Sequence, residues 1–165
     1  MKKIILTKNK FTIIDDEDYK YLKNHKWCAV FTGRHFYAFR TIYNKIKCRS
    51  VYMHREILNP SAGLDCDHIN GDTLDNRKEN LRMATRKQNL QNEINPRINN
   101  KFKIKGVCWH KTKKKFQAQI RYNGKRIFLG RFSVLGDADD AYRRAEIKYF
   151  GEFARKYEPG CPMEH

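Results

Sequence analysis

The chain has 165 residues and a formal net charge of +17 at pH 7, with 40% hydrophobic and 13% aromatic residues. This composition argues against a disordered chain and favours one folded domain or two small ones, while the charge indicates a polyanionic partner. No apolar run approaches the ~18 residues of a membrane span, and the N-terminal stretch MKKIILTKNK lacks the apolar core of a signal peptide. We therefore expect a cytoplasmic protein with no membrane partner.

The five cysteines are widely scattered and include no Cys-x-x-Cys pair. Structural zinc sites of small domains commonly use such pairs, so this spacing argues against a zinc knuckle. Free thiols in a reducing compartment are the simpler interpretation. We expect no structural zinc.

The N-terminal residues 2–14 contain two short β-rich runs, KKIILT and KFTII. Residues 15–26 follow with acids in the first turn and lysines near the end, which is the charge order that stabilises a helix dipole. Residues 27–31 and 36–43 are aromatic and β-branched and are separated by a four-residue turn. This pattern predicts a β-hairpin.

The apolar pattern continues through VYMHREIL, residues 51–58, and is stopped by Asn59 and Pro60. The first half therefore reads as strands around one short helix. Further along, residues 86–95 have the composition of a short polar helix that ends at Pro96.

The character of the sequence changes after residues 96–104, which resemble a linker because they combine a proline, two asparagines and charge with little periodicity. Three strand-like runs follow, at residues 105–111, 115–123 and 125–132. The last two runs are joined by Asn123 and Gly124, the strongest short hairpin signal. Residues 134–151 place apolar side chains at helical spacing, which predicts an amphipathic helix packed on this sheet.

Positive charge is concentrated in the second half, where residues 101–131 contain eleven Lys or Arg and no Asp or Glu. A solvated charged surface would also explain this run. However, a three-stranded sheet covered on one side by a helix leaves its other face open, and here Trp109 and Phe128 are interleaved with the charges. We predict that this face binds nucleic acid, because a sheet can enter the major groove and read base edges through Arg and Gln.

The stretch LDCDHINGDTLDN, residues 64–76, sets Asp67 and His68 side by side before a polar loop that contains glycine. Phosphodiester hydrolysis needs a nucleophilic water, charge stabilisation at the phosphate and help for the leaving 3′ oxygen. A histidine can supply the base, and a divalent cation on oxygen ligands can supply the rest. Because neighbours on an extended strand point to opposite sides, Asp67 could hold the metal while His68 faces the water.

The segment HREILNPSAGLDCDHINGDTLDNRKENLRMATRKQNLQN resembles an HNH nuclease of the homing-endonuclease branch found in phages and mobile introns. In that family a hairpin, a loop and a helix form a ββα-metal site. The resemblance implies that Asp67 is a metal ligand, His68 the general base and Asn80 the asparagine that holds the loop over the base. It places the second metal ligand at Asn89.

The upstream pair His54 and Arg55 also matches this family, and we expect it to contact phosphate or to support the loop. An amide is a weak ligand, and Asn92 and Asn95 lie on the same predicted helix as alternatives to Asn89. Asp67 could instead cap the turn that follows it. One carboxylate and one amide oxygen leave most coordination positions to water and phosphate, which suits Mg²⁺ or Mn²⁺ better than zinc.

Residues 105–154 resemble the APETALA-type DNA-binding domain of plant ethylene-response factors, which also occurs fused to phage HNH nucleases. The marks of this resemblance include Gly106-Val107 and Leu129-Gly130-Arg131-Phe132. Carried over by position, the DNA-facing residues are Lys105, Trp109, Lys111, Gln119, Arg121, Arg126, Phe128 and Arg131, with Tyr142 contacting a phosphate.

The first strand departs from the plant pattern, since Cys108 and His110 replace residues of an arginine-rich run, so base preference does not transfer. We expect Phe116, Ile120 and Leu129 to be core residues rather than DNA contacts.

The first sixty residues resemble the leader of many such phage nucleases, and its sheet is expected to support the active site. Charge alone suggests that this leader adds DNA contacts through Arg34, Arg40, Lys45 and Lys47.

These observations predict an α+β protein in which an N-terminal β-rich region leads into a ββα-metal HNH nuclease, followed by a three-stranded antiparallel sheet packed on one helix. The expected domains are residues 1–95, with the nuclease core at about 49–95, and residues 105–157. Residues 96–104 would form the linker and residues 158–165 a tail.

The predicted function is a metal-dependent DNA endonuclease of the homing type, acting on double-stranded DNA in a bacterial or phage-infected host cell. A monomer or weak dimer is expected. Because one ββα-metal site cuts one strand, a monomer should nick DNA, and a double-strand break would require a dimer or two binding events. The main alternative is a DNA-binding regulator in which the HNH scaffold is silent. RNA binding is a third interpretation, although the sequence has no RNA-recognition signature.

Overall fold

The computed structural model describes residues 1–43, 48–92, 100–102 and 104–156. Within these residues the protein is a mixed α/β structure with four α-helices and four small antiparallel sheets, which confirms the predicted coarse fold class. The chain divides into two compact units, Met1–Leu90 and the residues from Gln91 onward.

The described residues of the first unit form β1 (Lys2–Ile5), β2 (Phe11–Ile14), α1 (Asp16–Leu22), β3 (Cys28–Phe31), β4 (Phe36–Tyr43), β5 (Cys48–Tyr52), α2 (Met53–Leu58), β6 (Asp65–His68), β7 (Leu81–Ala84) and α3 (Arg86–Asn92). The strands make three small sheets, with the strand orders β1-β2, β3-β4-β5 and β6-β7.

The core of this unit is a cluster of buried apolar side chains contributed by both N-terminal strands, α1, the central sheet and α2. Its members are Ile4, Leu6, Ile14, Leu22, Trp27, Ala29, Ala38 and Met53. The helix α1 carries three acids in its first turn, as its charge pattern predicted. Burial of this cluster, rather than intrinsic helix propensity, stabilises such short elements.

The prediction of strands around a single short helix is wrong for residues 53–58, because β5 ends at Tyr52 and a second helix, α2, begins at Met53. Met53 is fully buried and Ile57 packs on the same core. These residues are four positions apart, which is helical spacing, whereas alternation along a strand would also require Arg55 to face the core. The helix ends at Asn59, whose φ of +44° is left-handed.

The second unit contains one sheet with the strand order β10-β9-β8 and a helix packed against it. Its elements are β8 (Val107–His110), β9 (Lys115–Tyr122), β10 (Lys125–Phe132) and α4 (Leu135–Phe150). Asn123 and Gly124 both have positive φ, +49° and +78°, and join β9 to β10 in the tight hairpin that the sequence predicted.

The core of the second unit lies between β9 and α4. It contains Ile104, Val107, Ala118, Ile120, Ala138, Tyr142, Ala145, Phe150 and Ala154. Phe116 and Leu129 pack against this cluster, as expected. Most of the predicted linker and the whole predicted tail lie outside the described residues.

In the described part of the chain, none of the helices has the length and apolar character needed to cross a membrane.

Candidate functional site

The hairpin β6–β7 carries the Asp-His pair at the end of its first strand. Asp67 lies opposite Arg82 and His68 lies opposite Leu81 in the antiparallel register. A polar loop and one turn of 3-10 helix, Lys78–Asn80, connect the two strands. The helix α3 begins two residues after β7, so the chain presents a hairpin, a loop and a helix in succession.

His68 is buried, with 4% of its surface exposed. Its Nε2 lies 3.0 Å from Oδ1 of Asn76. Burial lowers the pKa of His68, and the hydrogen bond with Asn76 opposes this shift. A ring that is neutral near pH 7 can accept a proton, which is the property required of a base.

Asn80 joins the two ends of the polar loop. Its Oδ1 accepts a hydrogen bond from the backbone N–H of Asn70 at 3.0 Å, and its Nδ2 donates to the backbone carbonyl of Asp75 at 2.8 Å. The backbone N–H of Ile69 also donates to the carbonyl of Asn80 at 2.9 Å. Asn80 therefore maintains the loop next to His68, and its contribution to catalysis stays a prediction.

The carboxylate of Asp67 is buried beside a cation. Nε of Arg82 donates to Oδ2 of Asp67 at 2.8 Å, and Nη2 lies 2.7 Å from the same oxygen. Among the described residues, no three His, Cys, Asp or Glu side chains are grouped as a metal site. A cation here would therefore depend on fewer protein ligands, completed by water and substrate.

The predicted ligands fit such a cation by their chemistry. Asp67 offers a carboxylate oxygen, and Asn89, half-buried on α3, offers an amide oxygen. Oxygen ligands suit hard cations such as Mg²⁺. Because Arg82 occupies the Oδ2 side of Asp67, the carboxylate would bind a metal through Oδ1 or share Oδ2 with the guanidinium.

His54 packs against the candidate base. The ring centroids of His54 and His68 are 5.2 Å apart, and Tyr37 and Tyr52 lie 5.5 and 5.6 Å from His54. Burial, together with the neighbouring His68 and Arg55, lowers the pKa of His54 to about 3. A neutral buried ring is poorly suited to contact phosphate as a cation, so its surroundings favour loop support over phosphate contact.

Arg55, the other member of this pair, is half-exposed and lies 3.6 Å from the carboxylate of Asp65. Its predicted DNA contact stays a prediction.

Three residues of this site were missed by the sequence interpretation. Asn76 contacts His68, Arg82 pairs with Asp67, and Thr12 of β2 donates and accepts hydrogen bonds beneath the loop. Asn76 and Arg82 lie within the quoted motif, where the letters alone do not say which side chains meet. Thr12 is 64 residues from Asn76 in sequence, and no local pattern signals their contact.

The second unit presents an open sheet face opposite α4. Since Ala118 and Ile120 of β9 face the core, the alternate side chains of β9 and their cross-strand partners on β10 lie on the other face. These pairs are Arg121 with Arg126, Gln119 with Phe128 and Gln117 with Arg131. The guanidinium of Arg131 lies 5.2 Å from the centroid of the Phe128 ring, so this face combines cations, amides and an exposed aromatic ring.

Two predicted DNA contacts are placed elsewhere. Tyr142 is 3% exposed and belongs to the core between sheet and helix. This burial does not favour a phosphate contact, which stays a prediction. Trp109 pairs with Phe116 and packs edge-on against its ring at 4.8 Å. Because cross-strand partners share a face, Trp109 lies on the helix side of the sheet rather than on the open face.

Lys105 is also unsuited to its predicted role in this structure. It is half-buried, and its Nζ donates to the backbone carbonyl of Gln91 at 2.8 Å. Burial lowers its pKa to about 8. Lys111 is exposed, and its DNA contact stays a prediction.

Of the suggested DNA contacts of the leader, Arg40 already has internal partners. It forms a two-pronged ion pair with Glu56, at 3.1 and 2.8 Å, and lies over the ring of Trp27. These partners favour a structural role for Arg40, and its DNA contact stays a prediction. Arg34 is exposed, whereas Lys45 and Lys47 lie outside the described residues.

The hairpin, loop and helix around the Asp-His pair correspond to a nuclease domain of the HNH class, because the family described as HNH endonuclease matches residues 59–91. Over 94 residues the chain is 32% identical to "Protein 3.8" of Escherichia phage T7, covering 56% of this chain and 75% of that protein. The chain therefore belongs to the family of that phage protein and contains an HNH endonuclease domain.

No solved structure matches the chain. The HNH match covers Asp67, His68, Asn80 and Asn89 and ends at residue 91, before the sheet of the second unit. The APETALA-type resemblance of residues 105–154 is not supported by these comparisons.

Proposed function

We propose that the protein is a metal-dependent HNH endonuclease of the homing type that acts on double-stranded DNA. The observation that carries this proposal is the buried, hydrogen-bonded imidazole of His68 next to the carboxylate of Asp67, on a hairpin within the HNH match. The HNH class implies a nuclease with DNA as substrate; the homing type, the metal ion and the residue roles are our proposal.

In this mechanism Asp67 and Asn89 would hold the divalent cation, Mg²⁺ or Mn²⁺. When bound, the cation supplies charge stabilisation at the scissile phosphate and at the leaving oxygen. His68 accepts a proton from a water that attacks phosphorus in line with the 3′ oxygen. The new P–O bond forms as the bond to the 3′ oxygen breaks, which leaves a 5′-phosphate and, after proton uptake from solvent, a 3′-hydroxyl.

Binding of the duplex is assigned to the open face of the second unit. Arg121, Arg126 and Arg131 share this face with Gln119 and Phe128, as the register of β9 and β10 indicates. Arginine side chains on such a face bind DNA phosphates, and this binding weakens steeply with salt. Gln and Arg side chains can also read base edges. An APETALA-like mode of binding is a proposal that rests on sequence resemblance and on this arrangement of side chains.

A non-catalytic regulator is the second candidate, because Arg82 already occupies one oxygen of Asp67. If that ion pair excluded a metal, the HNH scaffold would be silent while DNA binding remained.

The test is nicking of supercoiled plasmid and of phage genomic DNA at low salt with Mg²⁺ or Mn²⁺. We expect nicks that carry 5′-phosphates and that disappear with EDTA and in His68→Ala. Binding of the same DNA without any cleavage would overturn the nuclease proposal and favour the regulator. Cleavage that persists in His68→Ala would show that the base is wrongly assigned.

A further inference from the structure

A buried chain of hydrogen bonds connects His68 to the N-terminal hairpin. Nε2 of His68 lies 3.0 Å from Oδ1 of Asn76, Nδ2 of Asn76 donates to Oγ1 of Thr12 at 2.7 Å, and Thr12 donates to the backbone carbonyl of Leu74 at 2.7 Å. Thr12 and Asn76 are fully buried, and His68 is nearly so. Water is thus largely excluded as an alternative partner along this chain.

The carbonyl of Leu74, at the end of this chain, determines which group donates and which accepts in every one of its hydrogen bonds. A backbone carbonyl can only accept, so the hydroxyl proton of Thr12 points to Leu74 and its lone pairs are left for Asn76. The amide of Asn76 must then direct Nδ2 toward Thr12 and Oδ1 toward His68. Since Oδ1 can only accept, Nε2 of His68 must carry the proton of this bond.

A sulfur atom supports the same orientation of the amide. Sδ of Met53 lies 3.8 Å from Nδ2 of Asn76 and 3.9 Å from Oγ1 of Thr12. A thioether is a weak acceptor, so it favours the amide NH₂ over the amide oxygen at this position.

The backbone holds Thr12 beneath the loop. The N–H of Ile13 donates to the carbonyl of Leu74 at 2.9 Å, and the N–H of Asn76 donates to the carbonyl of Ile13 at 2.8 Å. The strand β2 is thus attached to the loop through both backbone groups of Ile13, the residue next to Thr12. Thr12 itself lies outside the residues that match the HNH family.

We propose that Thr12 and Asn76 are positioning residues that hold neutral His68 in the Nε2–H tautomer, so that Nδ1 is the nitrogen that accepts the proton. The catalytic consequence rests on the proposed function, whereas the tautomer does not. The N-terminal hairpin is then part of the catalytic apparatus rather than a separate leader, because it determines which nitrogen carries the lone pair.

Two substitutions of Thr12 separate orientation from packing. Thr12→Val has nearly the same shape but gives Nδ2 of Asn76 no oxygen acceptor, so the amide can rotate and present Nδ2 to His68. That rotation favours the opposite tautomer, with the proton on Nδ1. Thr12→Ser loses a methyl group but keeps the hydroxyl, and is expected to keep the wild-type tautomer.

The experiment is long-range ¹H–¹⁵N NMR of the full chain labelled with ¹⁵N-histidine, without metal, at a pH at which His68 is neutral. The signal of His68 is assigned by its loss in His68→Gln. We expect a protonated-type shift at Nε2 and an unprotonated-type shift at Nδ1 in the wild type and in Thr12→Ser. Thr12→Val should show a substantial population of the Nδ1–H form. An Nδ1–H tautomer in the wild type, which needs no variant to fold, would overturn the proposal.

Nicking kinetics add the functional readout. If the proposed function holds, Thr12→Val should lower kcat by about tenfold or more at unchanged affinity for DNA, while Thr12→Ser stays within a few-fold of the wild type. A Thr12→Val protein that is folded by circular dichroism and keeps the wild-type tautomer and rate would refute the role of Thr12. A wild type that shows the Nε2–H tautomer but no cleavage would refute the proposed function and leave the tautomer assignment intact.

Discussion

Asp67 and Arg82 lie directly opposite each other across the β6–β7 ladder, and the guanidinium contacts Oδ2 of the carboxylate through two nitrogens, at 2.8 and 2.7 Å. Both side chains are largely buried, with 6% and 13% of their surfaces exposed. The metal ligand expected from the sequence is therefore already paired with a cation that the sequence interpretation did not include.

Removal of Arg82 should destabilise the first unit strongly. Arg82→Met leaves a buried carboxylate without this cation, and a loss of about 3 kcal/mol in the free energy of unfolding is expected. The double variant Asp67→Leu/Arg82→Met should recover most of that loss, because it removes both charges. Urea unfolding in EDTA measures the free energy of unfolding of the wild type, the single variant and the double variant.

The matched control for this prediction is Arg86→Met, since Arg86 is 78% exposed and lies 3.5 Å from Asp65. Such surface pairs contribute little, and a change of less than ~1 kcal/mol is expected. Equal effects of Arg82→Met and Arg86→Met would contradict the assignment of Arg82 as the buried partner of Asp67.

Gly106 should tolerate a methyl group far less well than Gly124. Both have positive φ, +75° and +78°, but a Cβ at Gly106 would come within 2.0 Å of the Tyr142 ring and 2.6 Å of the backbone oxygen of Gln119. At Gly124 nothing lies within 4 Å. Gly124→Ala should therefore cost ~1–2 kcal/mol from backbone conformation alone, and Gly106→Ala a further ~1–3 kcal/mol from overpacking.

Thermal unfolding of the two glycine variants, followed by the fluorescence of Trp109 in a Trp27→Phe background, reports on the second unit that contains both sites. Equal melting temperatures for Gly106→Ala and Gly124→Ala would show that Tyr142 does not pack against Gly106.

The stability of the second unit should increase with pH above about 8 because of Lys105. Burial lowers the pKa of Lys105 from 10.5 to about 8. Between these values the unfolded chain binds a proton that the folded chain does not, so the free energy of unfolding rises with pH. Relative to Lys105→Met, the wild type should gain on the order of 1–2 kcal/mol from about pH 8 to about pH 10.

Urea unfolding of both proteins at several pH values in this window tests the prediction, and the difference between them removes the contribution of other titrating groups. If the difference in the free energy of unfolding between the wild type and Lys105→Met did not change across this pH window, Lys105 would have to stay charged in the folded protein.

DNA affinity should depend on the open face of the second unit. Arg126→Gln is expected to weaken binding and to reduce the slope of log K against log salt by about one. The control Arg143→Gln makes the same change in charge on α4, where Arg143 pairs with Asp139 at 2.7 Å, and should leave the slope unchanged. Fluorescence anisotropy on one duplex measures the DNA affinity of both variants. An equal loss of affinity in Arg126→Gln and Arg143→Gln would contradict a specific role for this face.

The sequence predicted best where a signal is local. The Asn123-Gly124 hairpin, the acidic first turn of α1 and the HNH motif are all read from neighbouring residues, and each corresponds to what the structure or the comparisons report. Contacts between residues that are distant in sequence were missed, because they leave no signal among neighbouring residues. Neither the pairing of Asp67 with Arg82 nor the position of Thr12 beneath Asn76 leaves a local pattern.

The side of a sheet or helix on which a residue lies was hard to predict where two sequence patterns pointed to different sides. Tyr142 lies at helical spacing with Ala138 and Ala145 and is buried with them, as its periodicity predicted, whereas the family resemblance assigned the same residue to a DNA contact. Trp109 was read as a residue of the open face because of the charges around it, whereas the register with Phe116 decides its side of the sheet.

The role of His68 is tested most directly by a comparison of cleavage and DNA binding in the wild type and His68→Ala on the same supercoiled plasmid, with Mg²⁺ or Mn²⁺. We expect metal-dependent nicking by the wild type, loss of nicking in His68→Ala and equal DNA affinity of the two proteins. Undiminished nicking by His68→Ala, or DNA binding by the wild type without any nicking, would contradict the claim that His68 is the base of an HNH nuclease.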